Sequence, residues 1–368
     1  MGHLLLLVRV GDEEMRTPVT TTMRAVVADD YGPVEGLEVR SLPVPLPGPG
    51  QIQVRVRAST LNPAEVRVLD GSMRDLAPLS FPHVVGRDFA GVVTETGDGV
   101  RRFAVGDEVF GFGFPETMAN LAVMVGSPPS LATGTLAEYA VFEADTPGLA
   151  LRPAGLTAEH ASTLPTAGLT ALALVRAGEF QPGDVVAVIG ATGGVGSVLL
   201  PLLSTAKVHV IATASPVDDG YVRDLGAAEV IDHRAVDVVD EILRRHPDGV
   251  DAVVNLALPG DGLAGAATAI RPGGRLLNIV FPTPDTAAFK GRDLTVATVI
   301  TSARPGDLDL LAARALDGSL PVAISRRYPL TDGVRACVEF LNEHTRGKVV
   351  VVAEDETGRP AVAFARAE

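Results

Sequence analysis

A chain of 368 residues is long enough for two domains of ordinary size. Hydrophobic residues make up 46% and charged residues 21%, a balance that forms a packed core and excludes a disordered chain. The formal net charge of −14 argues against nucleic acid or an anionic membrane surface as partner, because both need clustered positive charge.

Residues 1–22 read as an N-terminal extension, ending in the polar spacer 17–22 before a strand that begins at Met23. The apolar run 4–10 is short and lacks both a preceding basic stretch and a cleavage site, so it does not read as a signal peptide. No apolar run approaches the roughly 20 residues that span a bilayer. One cysteine, Cys337, permits neither an internal disulfide nor a cysteine-built zinc site, and the cytosol is the simplest compartment.

From Met23 to about residue 145, short strand-like runs (25–28, 52–58, 89–94, 108–110, 139–142) alternate with turns, and Pro43, Pro45, Pro47 and Pro49 stiffen one connection. Many short strands between Gly/Pro turns predict a small, irregular β-barrel. From about 147 to 302 the rhythm changes to strand–helix alternation, with strands predicted at 185–189, 208–213, 229–231, 252–256, 275–280 and 295–300. That pattern predicts a doubly wound parallel sheet. An amphipathic helix at 334–342 and an apolar strand at 349–353 are expected to rejoin the first domain.

The central run Val185-Val-Ala-Val-Ile189 is a strand buried on both faces, and Gly190-Ala-Thr-Gly-Gly-Val-Gly196 turns it into an apolar helix. Against G-x-G-x-x-G, Ala191 replaces the first glycine while Gly193 and Gly196 fit. A glycine-rich turn between strand and helix is the context in which backbone amides receive a pyrophosphate. Ala191, Thr192, Gly193, Gly194, Val195 and Gly196 are therefore candidate dinucleotide-binding residues, with Asn255 of the later strand added to the set.

NAD-dependent sites usually need a carboxylate at the end of the second strand, about 20 residues past the turn. Ile211-Ala-Thr-Ala-Ser215 offers only the hydroxyls of Thr213 and Ser215, and Arg223 and His233 are the nearest candidate phosphate partners. NADPH is expected before NADH.

Taken together, Met23-Arg-Ala-Val-Val, Asn62-Pro-Ala-Glu65, Gly86-Arg-Asp-Phe-Ala-Gly91, Val105-Gly-Asp-Glu-Val-Phe110, Gly134-Thr-Leu-Ala-Glu-Tyr-Ala140, Leu164-Pro-Thr-Ala-Gly-Leu-Thr-Ala171, Leu225-Gly-Ala-Ala-Glu-Val-Ile-Asp232 and Gly347-Lys-Val-Val resemble the medium-chain dehydrogenase/reductase superfamily, in its zinc-independent quinone oxidoreductase-like branch. The resemblance implies an α/β protein: a GroES-like, partly open β-barrel catalytic domain (23–146 and 318–368) beside a Rossmann domain (147–317). It implies an active site in the cleft between them.

Zinc-dependent relatives carry ligands in the segments that here read Leu61-Asn-Pro63 and Arg87-Asp88, so no metal is expected. His83 and His160 read as structural or surface histidines. The resemblance puts Asn62 beside the nicotinamide, with its amide as donor to a substrate carbonyl. Relatives place a tyrosine shortly after; here the matching positions read Arg67 and Met73, which makes Arg67 a candidate electrostatic stabiliser.

Asp88 is a candidate cleft carboxylate, or else a structural capping group. Thr166 and Thr170 fall in the segment that crosses between domains near the nicotinamide, in either cofactor-binding or helix-capping roles. The implied activity is hydride transfer from NADPH to an activated C=C or a quinone, on a small hydrophobic carbonyl-conjugated substrate. The alternatives are a biosynthetic enoyl-thioester reductase or recruited cyclase, and a dinucleotide-binding protein with little catalysis. The apolar stretch 114–133 is expected to cover the cleft or a subunit partner, and a homodimer is expected along the strand at 294–300.

Overall fold

The computed structural model describes residues 21–361 apart from 76–77, 116–130, 282 and 284. Six parallel strands lie side by side in the order Glu229–Asp232, His209–Ala214, Val185–Ile189, Val250–Asn255, Ile270–Asn278, Leu294–Thr298. Counted along the chain this is 3-2-1-4-5-6, the doubly wound Rossmann arrangement. The strand order reverses between Val185–Ile189 and Val250–Asn255, and a crevice opens at their carboxyl ends. Both neighbours of Val185–Ile189 and both faces are covered, which is why its apolar run is unbroken.

The first lobe is built mostly from antiparallel strands. Leu149–Leu151, Glu108–Phe112, Asp88–Thr96, Gln51–Thr60 and Tyr139–Glu143 pair in that order, and Thr22–Ala28 forms a second sheet between Glu38–Pro43 and His83–Val84. The C-terminal strand Lys348–Val352 returns here: Val350 pairs with Thr60 of the long strand, while Ile324–Pro329 runs parallel on its other side. This is the GroES-like lobe.

Helix Pro165–Gly178 leads from the first lobe into the parallel sheet. Proline in its first turn costs no hydrogen bond, and Glu179 ends it in a left-handed conformation (φ 45°). Its leucines and alanines share one apolar core with both lobes, a cluster that includes Leu61, Phe110, Leu169, Val186, Leu199 and Val350.

Strand positions read from the sequence stand within a few residues. Glu38–Pro43, Leu149–Leu151 and Ile324–Pro329 were not legible. Glu38–Pro43 is largely exposed and Leu149–Leu151 is three residues long, so neither carries a clear period-two signal. The predicted extension 1–22 lies outside the described residues up to 20, and the predicted cover 114–133 lies outside them from 116 to 130.

Candidate active site

Asn62 follows the long strand Gln51–Thr60 by two residues and caps the short helix Pro63–Arg67. Proline sits at the first helical position, and the Asn62 backbone N–H donates to Glu65 Oε1 at 2.9 Å, the reciprocal half of a capping box. This local code turns the Asn62 carboxamide inward, where it is 4% exposed.

There it meets the side chains of Lys348 and Asp88. Its Oδ1 accepts from Lys348 Nζ at 2.6 Å, and its Nδ2 donates to Asp88 Oδ2 at 3.0 Å. Asp88 Oδ1 in turn accepts from the backbone N–H of Thr166 at 3.1 Å and its hydroxyl at 2.5 Å. Lys348 Nζ also reaches Leu61 O at 3.3 Å and stands 3.8 Å from Asp88 Oδ2. Beside them Arg87 Nε pairs with Glu65 Oε2 at 3.4 Å.

All four charged groups are buried. Burial pushes the Glu65 carboxyl up to about 7, against the pull of Arg87, and pushes Asp88 up as well. Burial likewise pushes the Lys348 ammonium down, while Asp88 and Glu65 draw it back up. An ammonium and a guanidinium thus occupy the space among the carboxylates.

The glycine turn closes onto this cluster. Gly347 N–H donates to Thr192 O at 2.8 Å, and Gly193 and Gly347 form a parallel bridge. A β-carbon on Gly194 would come 2.5 Å from Lys348 Cδ. Gly347 is itself obligatory, with φ at 62° and Ala323 O only 2.2 Å from where its β-carbon would lie. Lys348 therefore lies directly under the turn, anchored by the C-terminal strand.

The turn fits a dinucleotide. Gly190 is left-handed (φ 83°), and its N–H donates to Thr213 Oγ1 at 3.1 Å. Gly196 sits where a β-carbon would be 2.2 Å from Ala191 O, the close packing that the third glycine of the motif provides. At Gly193, the cap of helix Gly194–Thr205, the nearest atom to an added methyl would be Gly190 O at 3.7 Å, leaving open the space that a phosphate needs. The first amides of that 12-residue helix lack intrahelical partners and point to this space.

Ser215 follows the second strand. Its hydroxyl donates to Asp218 Oδ2 at 2.7 Å; His344 Nε2 lies 2.8 Å from the same oxygen, and the Arg346 guanidinium donates to Oδ1. Burial opposes ionisation of Asp218, yet the Ser215 and Arg346 hydrogen bonds hold its carboxyl below the usual range. The structure brings the Arg346 guanidinium and the His344 imidazole to this corner.

Several sequence expectations change. The Asn62 carboxamide has no hydrogen to spare for a substrate: beyond Asp88, its amino group faces only Glu65 Oε2 and Thr60 O, at 3.4 and 3.5 Å. Arg67 is exposed at the end of its helix, outside the buried cluster; Lys348 and Arg87 supply the positive charge instead. Arg223 turns to Asp219 at 2.7 Å and Ala228 O at 3.3 Å, and His233 is exposed on the turn after the third strand.

Asn255 is wholly engaged within the protein, donating to Leu258 O and Asn278 Oδ1 and accepting from Leu258 N–H. Thr170 bonds Thr166 O and Thr301 Oγ1, both at 2.6 Å. His83 is buried, which pushes it down to about 4, and His160 bonds Thr157 on the surface.

Lys348 and Arg346 were missed as site residues. One signal was present: the chain has only three lysines, and one of them opens an apolar strand.

Two family models match: the alcohol dehydrogenase GroES-like domain over residues 48–151 and the zinc-binding dehydrogenase over 225–351. The chain is 30% identical over 346 residues to the chloroplastic quinone oxidoreductase of Triphysaria versicolor, covering 89% of this chain and 98% of that protein. It is 34% identical over 236 residues to the chloroplastic NADPH-dependent alkenal/one oxidoreductase of Arabidopsis thaliana, covering 63% and 56%. The quinone oxidoreductase structure from Coxiella burnetii superposes with a TM-score of 0.80 at 27% identity, over 90% of this chain and 99% of that one. The chain belongs to the quinone oxidoreductase branch of the medium-chain dehydrogenase/reductase superfamily.

Proposed function

We propose that this oxidoreductase uses NADPH to reduce an activated C=C or a quinone, without a catalytic metal. The observation that carries the reading is the glycine turn, open at Gly193 and seated on the buried Lys348–Asn62–Asp88 cluster between the lobes.

Bound there, reduced nicotinamide supplies a hydride. The chain's own residues do the holding. Amides at the start of helix Gly194–Thr205 receive the phosphates, and Asp88 fixes Thr166 at the head of the connecting helix. Lys348 and Asn62 set the cleft floor, and their mutual hydrogen bond holds it in one geometry against which two planar partners can be oriented. An enone would take that hydride at its β-carbon with a proton from solvent at the α-carbon, and a quinone would take hydride and proton together to give the hydroquinone.

Two features support the finer parts of this reading. The carboxylates of the cleft, Glu65 and Asp88, are already matched by Arg87 and Lys348, a charge balance hostile to a divalent cation. At the second strand Asp218 is taken up by Ser215, His344 and Arg346, so the Arg346 guanidinium stands at the corner where a ribose 2′-phosphate would lie. The half-exposed edge strand Leu294–Thr298 would be the seam of a homodimer.

The test is loss of NADPH absorbance with a panel of enones and quinones, run in parallel with NADH. Turnover confined to enoyl thioesters would transfer the activity to a biosynthetic reductase. Absence of binding to either nucleotide in calorimetry would refute the reading.

A further inference from the structure

We propose that His209, Glu229 and His246 form a binding site for one divalent late transition-metal ion, Zn2+ in the first instance, at the end of the parallel sheet opposite the cleft. Among the described residues, these three bring their ligand atoms within 4.8 Å of one another. His209 opens the second strand, Glu229 opens the third, and His246 caps the helix Val238–Arg245. The glycine turn follows the carboxyl end of the neighbouring parallel strand, so strand length alone separates the two places by roughly 16 Å.

Both imidazoles aim Nε2 at the same oxygen, Glu229 Oε1, at 2.7 and 2.8 Å. Two imidazole nitrogens therefore gather around one carboxylate oxygen. Around a tetrahedral ion with bonds of about 2.0–2.2 Å, ligand atoms stand roughly 3.3 Å apart, so the two nitrogen–oxygen contacts would widen by about half an ångström while the two nitrogens already stand within 4.8 Å of each other. The side chains are partly exposed, at 40%, 22% and 22%, which leaves the fourth position to water.

The carboxylate is held ready for this. Arg245 donates to the other carboxylate oxygen, Oε2, at 3.2 Å, and Arg245 Nε donates to Glu241 Oε1 at 2.7 Å. Such outer contacts orient a metal-binding carboxylate without occupying the ligating oxygen. Two imidazoles with one carboxylate suit Zn2+, Co2+, Ni2+ or Cu2+ and disfavour Mg2+ and Ca2+. A bound ion would pin two strands and a helix together, so its effect falls on stability.

The full chain, stripped with chelator, is titrated with Zn2+ in a calorimeter and with Co2+ followed by visible absorption. One equivalent is expected, with the absorption of four-coordinate Co2+ and a melting temperature that rises with added Zn2+. His209→Gln and His246→Gln keep a hydrogen bond to Glu229, and each is expected to weaken Zn2+ binding at least about tenfold and abolish the thermal shift. Melting without metal checks that each variant folds, and either one suffices. No saturable uptake by the wild-type chain, uptake unchanged in the folded variants, or a stronger response to Mg2+ than to Zn2+ would overturn the assignment.

Discussion

Lys348 donates to the Asn62 side chain at 2.6 Å across 286 positions of sequence, and together they bury the carboxylate of Asp88 between the lobes. The contact exists because the C-terminal strand Lys348–Val352 pairs with the long strand that ends just before Asn62. Asp88 hands the link on to Thr166, the second residue of the helix that enters the nucleotide-binding lobe. The cluster thus ties cleft floor, cofactor turn and interdomain helix into one unit.

Removing Lys348 as Lys348→Met leaves the buried Asp88 without the ammonium that favours its charged form and the Asn62 oxygen without its donor. Breaking a buried pair by one partner costs about 3–5 kcal/mol, and urea unfolding reads that loss. Adding Asp88→Asn to the same chain should recover part of it, because the uncompensated charge is then gone. A Lys348→Met chain as stable as wild type would contradict the pairing.

The glycine turn separates folding from cofactor binding. Gly196→Ala would force a methyl to 2.2 Å from Ala191 O, backbone against backbone, and is expected to cost about 1–3 kcal/mol of stability. Gly193→Ala meets nothing closer than 3.7 Å and has extended backbone open to any residue, so its melting temperature should stay level. Its nucleotide affinity should fall at least about tenfold, since the methyl fills the phosphate space.

Stability should carry the mark of Glu65. Its folded value of about 7 stands above the ordinary 4.5, so between those values the folded chain holds a proton that the unfolded chain has released. The stabilisation from that proton is complete below about pH 4.5 and is lost as pH rises through about 7. Glu65→Gln keeps the acceptor for the Asn62 N–H and removes the titration. Urea unfolding at several pH values in this window should show a steeper decline for wild type than for the variant.

Arg346 offers a test of cofactor choice. Replacing it as Arg346→Gln removes a charge-assisted contact worth about 1.5–3 kcal/mol, so KM for NADPH should rise by roughly ten- to a hundredfold. KM for NADH should move little. Equal loss with both nucleotides would assign Arg346 to holding Asp218 alone.

The sequence by itself determined the two-lobe architecture, because hydrophobic period and turn chemistry are local. The run Val185–Ile189 had to be a buried parallel strand, and Gly193 and Gly196 had to open the helix after it. Asn62-Pro63-Ala64-Glu65 likewise wrote its own helix start. What only the tertiary structure decided is which side chains meet. Asn255 looked like a cofactor contact until the Asn278 partner 23 residues on took its amide. Arg67 looked catalytic because it stands where relatives place a tyrosine, but the short helix points Glu65 inward and leaves Arg67 in solvent. Lys348 reaches Asn62 because its strand pairs with residues some 290 positions earlier, and Arg346 meets Asp218 across 128 positions; no local pattern of residues encodes such long-range contacts.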